Sequence, residues 1–384
     1  MDFLCFGGED WWYHNQGHID FQLMRRFAKK GKTLYINSIT MQKPKLGRNG
    51  KFITKLVRKT KSILKGLKKT EAGFWVYSPF SLPVHHIAWL RPLNTTILKL
   101  QLRLIVRRLR MHNPVVWVAC PTACDIALKL KKQRLVYQRT DRFEAYPDVD
   151  INLIQQYDRE LKANSDLTIF VNDKLYDLER EQCKKAIYLD HGVDYDVFAS
   201  AELNQDKPAD IAKIPKPIVG YFGLLDAHKL NINFTKSLVE LMPNVSFVFI
   251  GITTPQFAQL AKKENVWLLG QKPYEQIPHY GKCFDAAIFP ANHNKWIKAC
   301  NPIKLKEYLA LGKPVISTSF PELREYSDVV YQANTPEKFA RCLEKAMAEN
   351  SAERIAARRK KVQSATWASK AQIVMNELFV DNDN

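Results

Sequence analysis

At 384 residues the chain is longer than one hydrophobic core usually supports, and with 46% hydrophobic residues it can bury two. Its net charge of +19 is concentrated in residues 1–192, where 34 Lys and Arg face 18 Asp and Glu; that half suits an acidic partner, with nucleic acid, anionic lipid headgroups and a phosphorylated carrier all open on charge alone. Seven scattered cysteines without zinc-type spacing argue against a disulfide scaffold or a zinc site, and no run of about 18 apolar residues is there to cross a bilayer, so a cytoplasmic chain held peripherally on the inner face of the cell membrane is expected.

An apolar strand at 3–6 ends in Gly7-Gly8, helical spacing follows over 19–30, and a strand at 33–37 completes a βαβ unit. Gly7-Gly8 is not a G-x-G-x-x-G fingerprint; it marks either a plain tight turn or a place where a ligand nears the backbone. The aromatic and polar segment 9–16 follows that strand's carboxyl end, the side on which open α/β sheets bind ligands. Gly7, Gly8, Trp11, Trp12 and His14 are therefore candidate acceptor-side residues, although packing alone would account for the tryptophans.

Residues 43–69 hold eleven Lys or Arg and no acid, with apolar residues at 52, 53, 56, 57, 63, 64 and 67. That spacing gathers an apolar stripe on one helical face and cations on the other, as in a helix lying in a membrane interface, with Lys51, Lys55, Arg58, Lys59 and Lys65 toward anionic headgroups. A solvated basic helix packed on its own domain through the stripe is the alternative. Phe52 is the one stacking aromatic of the stretch, which speaks against nucleic acid.

A second basic helix over 98–110 and strands over 115–119 and 135–139 come next, the last running into Asp141. Asp141 follows a strand's carboxyl end beside Arg139, Arg142 and Glu144, where a carboxylate base for a sugar hydroxyl would stand; a turn or cap residue is the plainer reading. A helix over 151–163 and strands over 167–171 and 186–189 complete a first domain, 1–200, and the polar stretch 200–216 reads as a linker. The pattern then restarts with strands at 218–222, 245–250, 266–269 and 286–290, three of them running into Gly223, Gly251 and Gly270. Alternating strands and helices predict parallel sheets, a second domain over 217–365 and a C-terminal helix, 366–384, returning toward the first.

The stretch 301–318 reads as a helix with both ends written in: Asn301 as cap, Pro302 at the first helical position, Gly312 and Pro314 as the stop before an apolar strand. Lys304 and Lys306 near its start add cations to the positive end of the helix dipole, which suits a bound anion. Glu307, one turn after Lys304, offers an acceptor for ribose or sugar hydroxyls, so the stretch is expected to hold a nucleotide diphosphate, with a surface helix as the bland alternative.

Four blocks in order carry a resemblance: Val219–Gly223 with Lys229, Phe247–Gly251, Leu269–Gly270 through Pro278, and Asp285–Pro290 followed by 301–318. They make the second half similar to the C-terminal domain of a glycosyltransferase of the B-type fold (GT-B), an α/β class with two facing Rossmann-like domains. Tyr137–Asp141, Asn164–Val171 and His191–Asp194 with Phe198 resemble the same family in the first half. The resemblance implies that Glu307 bonds the ribose of a nucleotide sugar such as a UDP-sugar, that Lys304 faces its diphosphate among Gly223, Asn301 and Ile303, and that Lys229 is a second cation there. Many retaining members carry a glutamate where this chain has Ala299, and the Asn301-Pro302-x-Lys304-x-x-Glu307 form looks like the bacterial polysaccharide branch, including glucuronosyltransferases and teichuronic-acid-type enzymes. An inverting reaction with Asp141 as base is thereby implied, transferring sugar to a lipid-linked or surface-polysaccharide acceptor. No metal, cofactor or nucleic acid is expected, because a lysine and a helix dipole can stabilise the leaving diphosphate. A GT-B-fold sugar-nucleotide epimerase and a non-enzymatic basic membrane- or nucleic-acid-binding protein are the alternatives.

Overall fold

The computed structural model describes residues 1–13, 17–41, 51–82, 87–146, 148–294, 297 and 301–379, with the backbone alone for 51–55. His14 and Ala299 lie outside these residues. The chain divides into two compact units, 1–190 with 370–384, and 191–369.

In the first unit the elements are β1 (Phe3–Phe6), α1 (Ile19–Phe27), β2 (Thr33–Ile36), α2 (Lys51–Leu64), β3 (Lys68–Lys69), β4 (Trp75–Tyr77), α3 (Arg91–Arg108), β5 (Val115–Val118), α4 (Cys124–Lys129), β6 (Leu135–Arg139), α5 (Ile151–Asn164), β7 (Leu167–Phe170), α6 (Asp173–Glu179) and β8 (Ala186–Tyr188). The sheet order is β3-β4-β2-β1-β5-β6-β7-β8. Every pairing is parallel except β3 with β4. That departure from an all-parallel sheet has a local cause: Gly73 adopts φ 90°, and Thr70 and Phe74 close a tight turn that returns β3 beside β4. Strands β1, β2, β5, β6 and β7 are buried along their whole length, which is why they read as continuous apolar runs.

In the second unit the elements are α7 (Tyr195–Ala199), β9 (Ile218–Phe222), α8 (Ile232–Leu241), β10 (Ser246–Ile250), α9 (Pro255–Ala258), β11 (Val266–Leu268), α10 (Ile277–Gly281), β12 (Ala286–Phe289), α11 (Ile303–Ala310), β13 (Val315–Ser317), β14 (Val330–Gln332), α12 (Pro336–Ala348), α13 (Ala352–Val362) and the start of α14 (Trp367–Phe379). The sheet runs β11-β10-β9-β12-β13-β14, all pairs parallel. Residues 200–216 are not an open linker. Ala201, Ile211 and Ile214 are buried in the second core, and Asp210 bonds Lys272 and Tyr280, so hydrophobic and ionic contacts draw the stretch into the unit. The boundary falls earlier, at 190/191, because Val193 is fully buried in that core and bridges Thr366.

Candidate functional site

In the second unit β9 and β10 end side by side. Gly223 has φ 139° and donates to the Ile250 carbonyl at 2.8 Å; a Cβ on Gly251 (φ 147°) would fall 1.8 Å from the Gly223 carbonyl oxygen. Both positions need glycine, and both open the sheet's carboxyl edge. Helix α11 starts at this edge, where the Tyr308 hydroxyl accepts the Phe222 N–H at 2.9 Å and moors the helix to the end of β9. Pro302, not Asn301, precedes the first helical residue, Ile303, so the helix begins one step later than its sequence suggests, with Asn301 ahead of the cap. Gly312, at φ 77°, ends it as expected.

The two lysines of this helix separate. Lys304 lies against Gly223, with its Nζ 5.4 Å from the ring centroids of both Tyr221 and Phe289. Lys306 is buried and donates to the His191 carbonyl at 2.5 Å, so its charge serves the fold and not a helix-start anion site. Glu307 is buried; loss of solvent pushes its carboxyl up to about 7, Asp194 adding to the rise while Lys304 and the Tyr274 hydroxyl draw it down. The Tyr274 hydroxyl also donates to Asp194 Oδ2 at 3.2 Å. Asp194 and Tyr274 both lie in motifs the sequence flags, but their meeting at Glu307 is a tertiary fact that no spacing encodes.

Lys229 is half-buried in the loop after β9. Its N–H donates to Asp226 Oδ1 at 2.8 Å, and its carbonyl accepts from Asn292 at 3.0 Å. The Asn292 side chain donates to three further carbonyls of that loop, which holds Lys229 on a fixed backbone.

In the first unit Asp141 follows β6 and accepts from the Tyr146 hydroxyl at 2.8 Å. Two residues earlier the buried Arg139 is held by Glu144 at 3.0 Å, Asp158 at 3.2 Å and Glu179 at 3.3 Å, which fixes the strand end that presents Asp141. Near Asp141 lies a pair that sequence reasoning missed: His18 Nδ1 is 2.7 Å from Asp20 Oδ1. Burial works against charge on the imidazole, but the Asp20 carboxylate outweighs it and raises His18 to about 9, with Glu9 and Asp141 contributing. Burial likewise opposes charge on Asp20, yet His18, the Gly8 N–H and the Tyr35 hydroxyl hold it at about 2. A His-x-Asp spacing at the start of α1 is the signal that could have found them.

The candidate acceptor residues are mostly committed to packing. A Cβ on Gly7 would fall 1.8 Å from the Tyr35 hydroxyl, and the Gly8 N–H donates to Asp20 at 2.8 Å, so these glycines fit neighbours in the fold. Trp11 is 5% exposed, edge-on to Phe21 and Phe74. Trp12 is half-buried beneath Lys65, whose Nζ is 4.2 Å from its ring centroid.

Helix α2 turns part of its apolar stripe outward, while several of its cations meet groups of their own unit. Buried Ser62 bonds Asn37, Ser78 and Asp10, Lys59 donates to the Ser38 carbonyl at 3.0 Å, and Arg58 and Lys65 cover Tyr13. The residues facing out are Leu56, Val57 and Leu64, at 55%, 45% and 79% exposure. The polar ends of β2 and β4 and the aromatic loop 11–13 offer hydrogen bonds and ring faces, which claim the cationic side; Lys51 and Lys55 are described by backbone alone.

Asp148-Val149-Asp150 and Asp194-Tyr195-Asp196 have the Asp-x-Asp spacing of a metal motif, but Asp150 caps α5 and Asp194 accepts from Tyr274. Among the described residues no group of three or more His, Cys, Asp or Glu is arranged to hold a metal ion, and no helix is long and apolar enough to cross a membrane.

Residues 216–349 match the family described as Glycosyl transferases group 1. A curated relative, "Putative teichuronic acid biosynthesis glycosyltransferase TuaH" of Bacillus subtilis (strain 168), is 26% identical over 221 residues, 55% of this chain and 54% of that protein, so the chain spans about half the length of the relative it matches. Among solved structures, sucrose-phosphate synthase from Thermosynechococcus elongatus superposes with a TM-score of 0.67 at 14% identity, covering 99% of this chain and 98% of that one. A glycosyltransferase from Rickettsia africae ESF-5 gives 0.66 at 12% over 100% and 99%. Anabaena HepE in complex with UDP-glucose gives 0.56 at 15% over 99% and 95%. Residues 216–349 are therefore similar to the glycosyl transferases group 1, in a chain that has the fold of the GT-B glycosyltransferases.

Proposed function

We propose that the protein transfers a sugar from a nucleotide-diphosphate donor to a lipid-linked or surface-polysaccharide acceptor, with inversion. The observation that carries this reading is the α11 start, where Lys304 lies on Gly223 and the buried Glu307 stands one turn behind it. Lys304 and the positive helix end meet the diphosphate; Glu307 accepts from ribose hydroxyls; Lys229 is the second cation. The UDP-glucose complex of the similar HepE and the polysaccharide role in the relative's name support the donor and acceptor classes. In the first unit Asp141 takes the proton as the acceptor oxygen bonds the anomeric carbon, while the bond from that carbon to the diphosphate oxygen breaks and its electron pair leaves with the diphosphate. No metal takes part, since Lys304 and the helix dipole supply the positive charge. The acceptor's lipid brings the protein to a cytoplasmic membrane face, where the outward Leu56, Val57 and Leu64 of α2 enter the interface and nearby cations meet anionic headgroups.

Thermal unfolding in the presence of a panel of nucleoside diphosphates tests the donor half of this reading. One member should raise the midpoint clearly, since a ligand at 100 times its dissociation constant adds about 2.7 kcal/mol. A flat response to all of them would overturn the proposal.

A further inference from the structure

Helix α3 has two apolar faces, and its sequence reveals one of them. Leu98 and Leu102 are buried at 2% and 0% exposure and pack it onto the first unit's core. On the opposite side Leu93, Leu100 and Leu104 are 52%, 61% and 60% exposed, and Trp89, in the turn leading into the helix, is 78% exposed. Steps of seven and four residues place the three leucines within about 40° of one another around the helix axis. Arg103, Arg107 and Arg108, all exposed, flank the stripe, and Lys99 is half-buried beside it. Residues 21–124 hold 22 Lys or Arg and a single acid, Glu71, so no acidic side chain lies on this helix to neutralise them.

We infer that the outward face of α3 is a second lipid-docking surface, which binds an anionic bilayer by inserting Trp89, Leu93, Leu100 and Leu104 while Arg103, Arg107 and Arg108 meet headgroup phosphates. The inference deepens the membrane-facing part of the reading above and rests on it. Exposed leucines alone would suit a protein partner as well. The ring of uncompensated arginines selects a surface rich in negative charge, and a tryptophan at the rim matches the headgroup level of a bilayer. In helix α2 part of the charge is engaged within its own unit, since Lys59 donates to the Ser38 carbonyl and Arg58 and Lys65 cover aromatic rings. In α3 the cations and the apolar side chains face out together.

The test uses the full chain and sedimentation with vesicles of phosphatidylcholine, with and without phosphatidylglycerol. The wild type should partition to the anionic vesicles, and added salt should weaken the binding. Leu100→Glu with Leu104→Glu should lower partition about tenfold or more with an unchanged unfolding midpoint and unchanged nucleoside-diphosphate binding, because both side chains point to solvent. Arg103→Glu with Arg107→Glu should abolish the preference for phosphatidylglycerol. Undiminished partition of the leucine pair variant would overturn the inference; if Leu56→Glu with Leu64→Glu then detached the protein, membrane docking would stand on α2 alone. A wild type that binds neither vesicle would remove both surfaces while leaving the donor site untouched. A concentration-dependent dimer dispersed by the leucine pair variant would assign the face to a second copy and also contradict the inference.

Discussion

Lys304 and Lys306 stand two residues apart on one short helix and meet different surroundings. The ammonium of Lys306 satisfies the His191 carbonyl in the interior. Lys306→Met should therefore destabilise the protein by about 1–3 kcal/mol in urea unfolding, the cost of a buried acceptor left without its donor. Lys304→Ala should leave that midpoint within error and instead weaken nucleoside-diphosphate binding by about tenfold, seen in calorimetry. Glu307 adds a pH dependence. Burial raises its carboxyl to about 7, and its carboxylate form is the better acceptor for ribose hydroxyls, so donor affinity should rise about tenfold from pH 6 to pH 8 and lose most of that slope in Glu307→Gln. Folding stability runs the other way. The folded-state value exceeds the ordinary one, so the stability that neutral Glu307 confers is complete below the ordinary carboxylate range and is lost as pH rises through about 7. Thermal scans should find Glu307→Gln more stable than the wild type at pH 8, with the gap shrinking toward pH 5.

Among the elements, β6 shows how a strand end is fixed by a buried ion network. Arg139 is 1% exposed, with Glu144, Asp158 and Glu179 around it, and Lys162 bonds the last two. Arg139→Leu removes the cation shared by three carboxylates, of which Lys162 bonds only Asp158 and Glu179, and should cost about 3–5 kcal/mol in denaturant unfolding, a result that a freely solvated arginine would not give. Asp141→Asn, two residues on, should keep the unfolding midpoint and nucleotide binding but abolish sugar transfer, measured as donor consumption with acceptor present; full transfer in this variant would move the base to another residue. The elements also show what a sequence can reveal. Buried parallel strands such as β5 and β9 are legible because both faces are apolar, and α11 because Gly312 ends it. The orientation of α2 was not legible, since its cations prefer ring faces and carbonyls that come from segments distant in the chain. The outward stripe of α3 was hidden by the inward one, because two opposed apolar faces cancel the asymmetry that marks an amphipathic helix.

Across the whole molecule, the two halves differ in charge and in the features they carry. The first half carries the cations and the apolar residues that face outward on α2 and α3; the second carries the glycine turns and the Lys304/Glu307 pair. The order of strands and glycines along the second half was enough to read its parallel sheet and the glycine turns at the sheet's carboxyl edge. Asp194 and Tyr274 against Glu307, and His18 with Asp20 near Asp141, needed the folded chain, because each joins residues whose relation is set by packing rather than by periodicity. The central claim is that the α11 start is a nucleotide cradle. Calorimetric titration of the most stabilising nucleoside diphosphate into the wild type and Glu307→Ala tests it most directly. Saturable binding in the wild type, weakened about tenfold or more in the variant, is the result predicted for loss of hydrogen bonds to a carboxylate; equal affinity in the two proteins would contradict it.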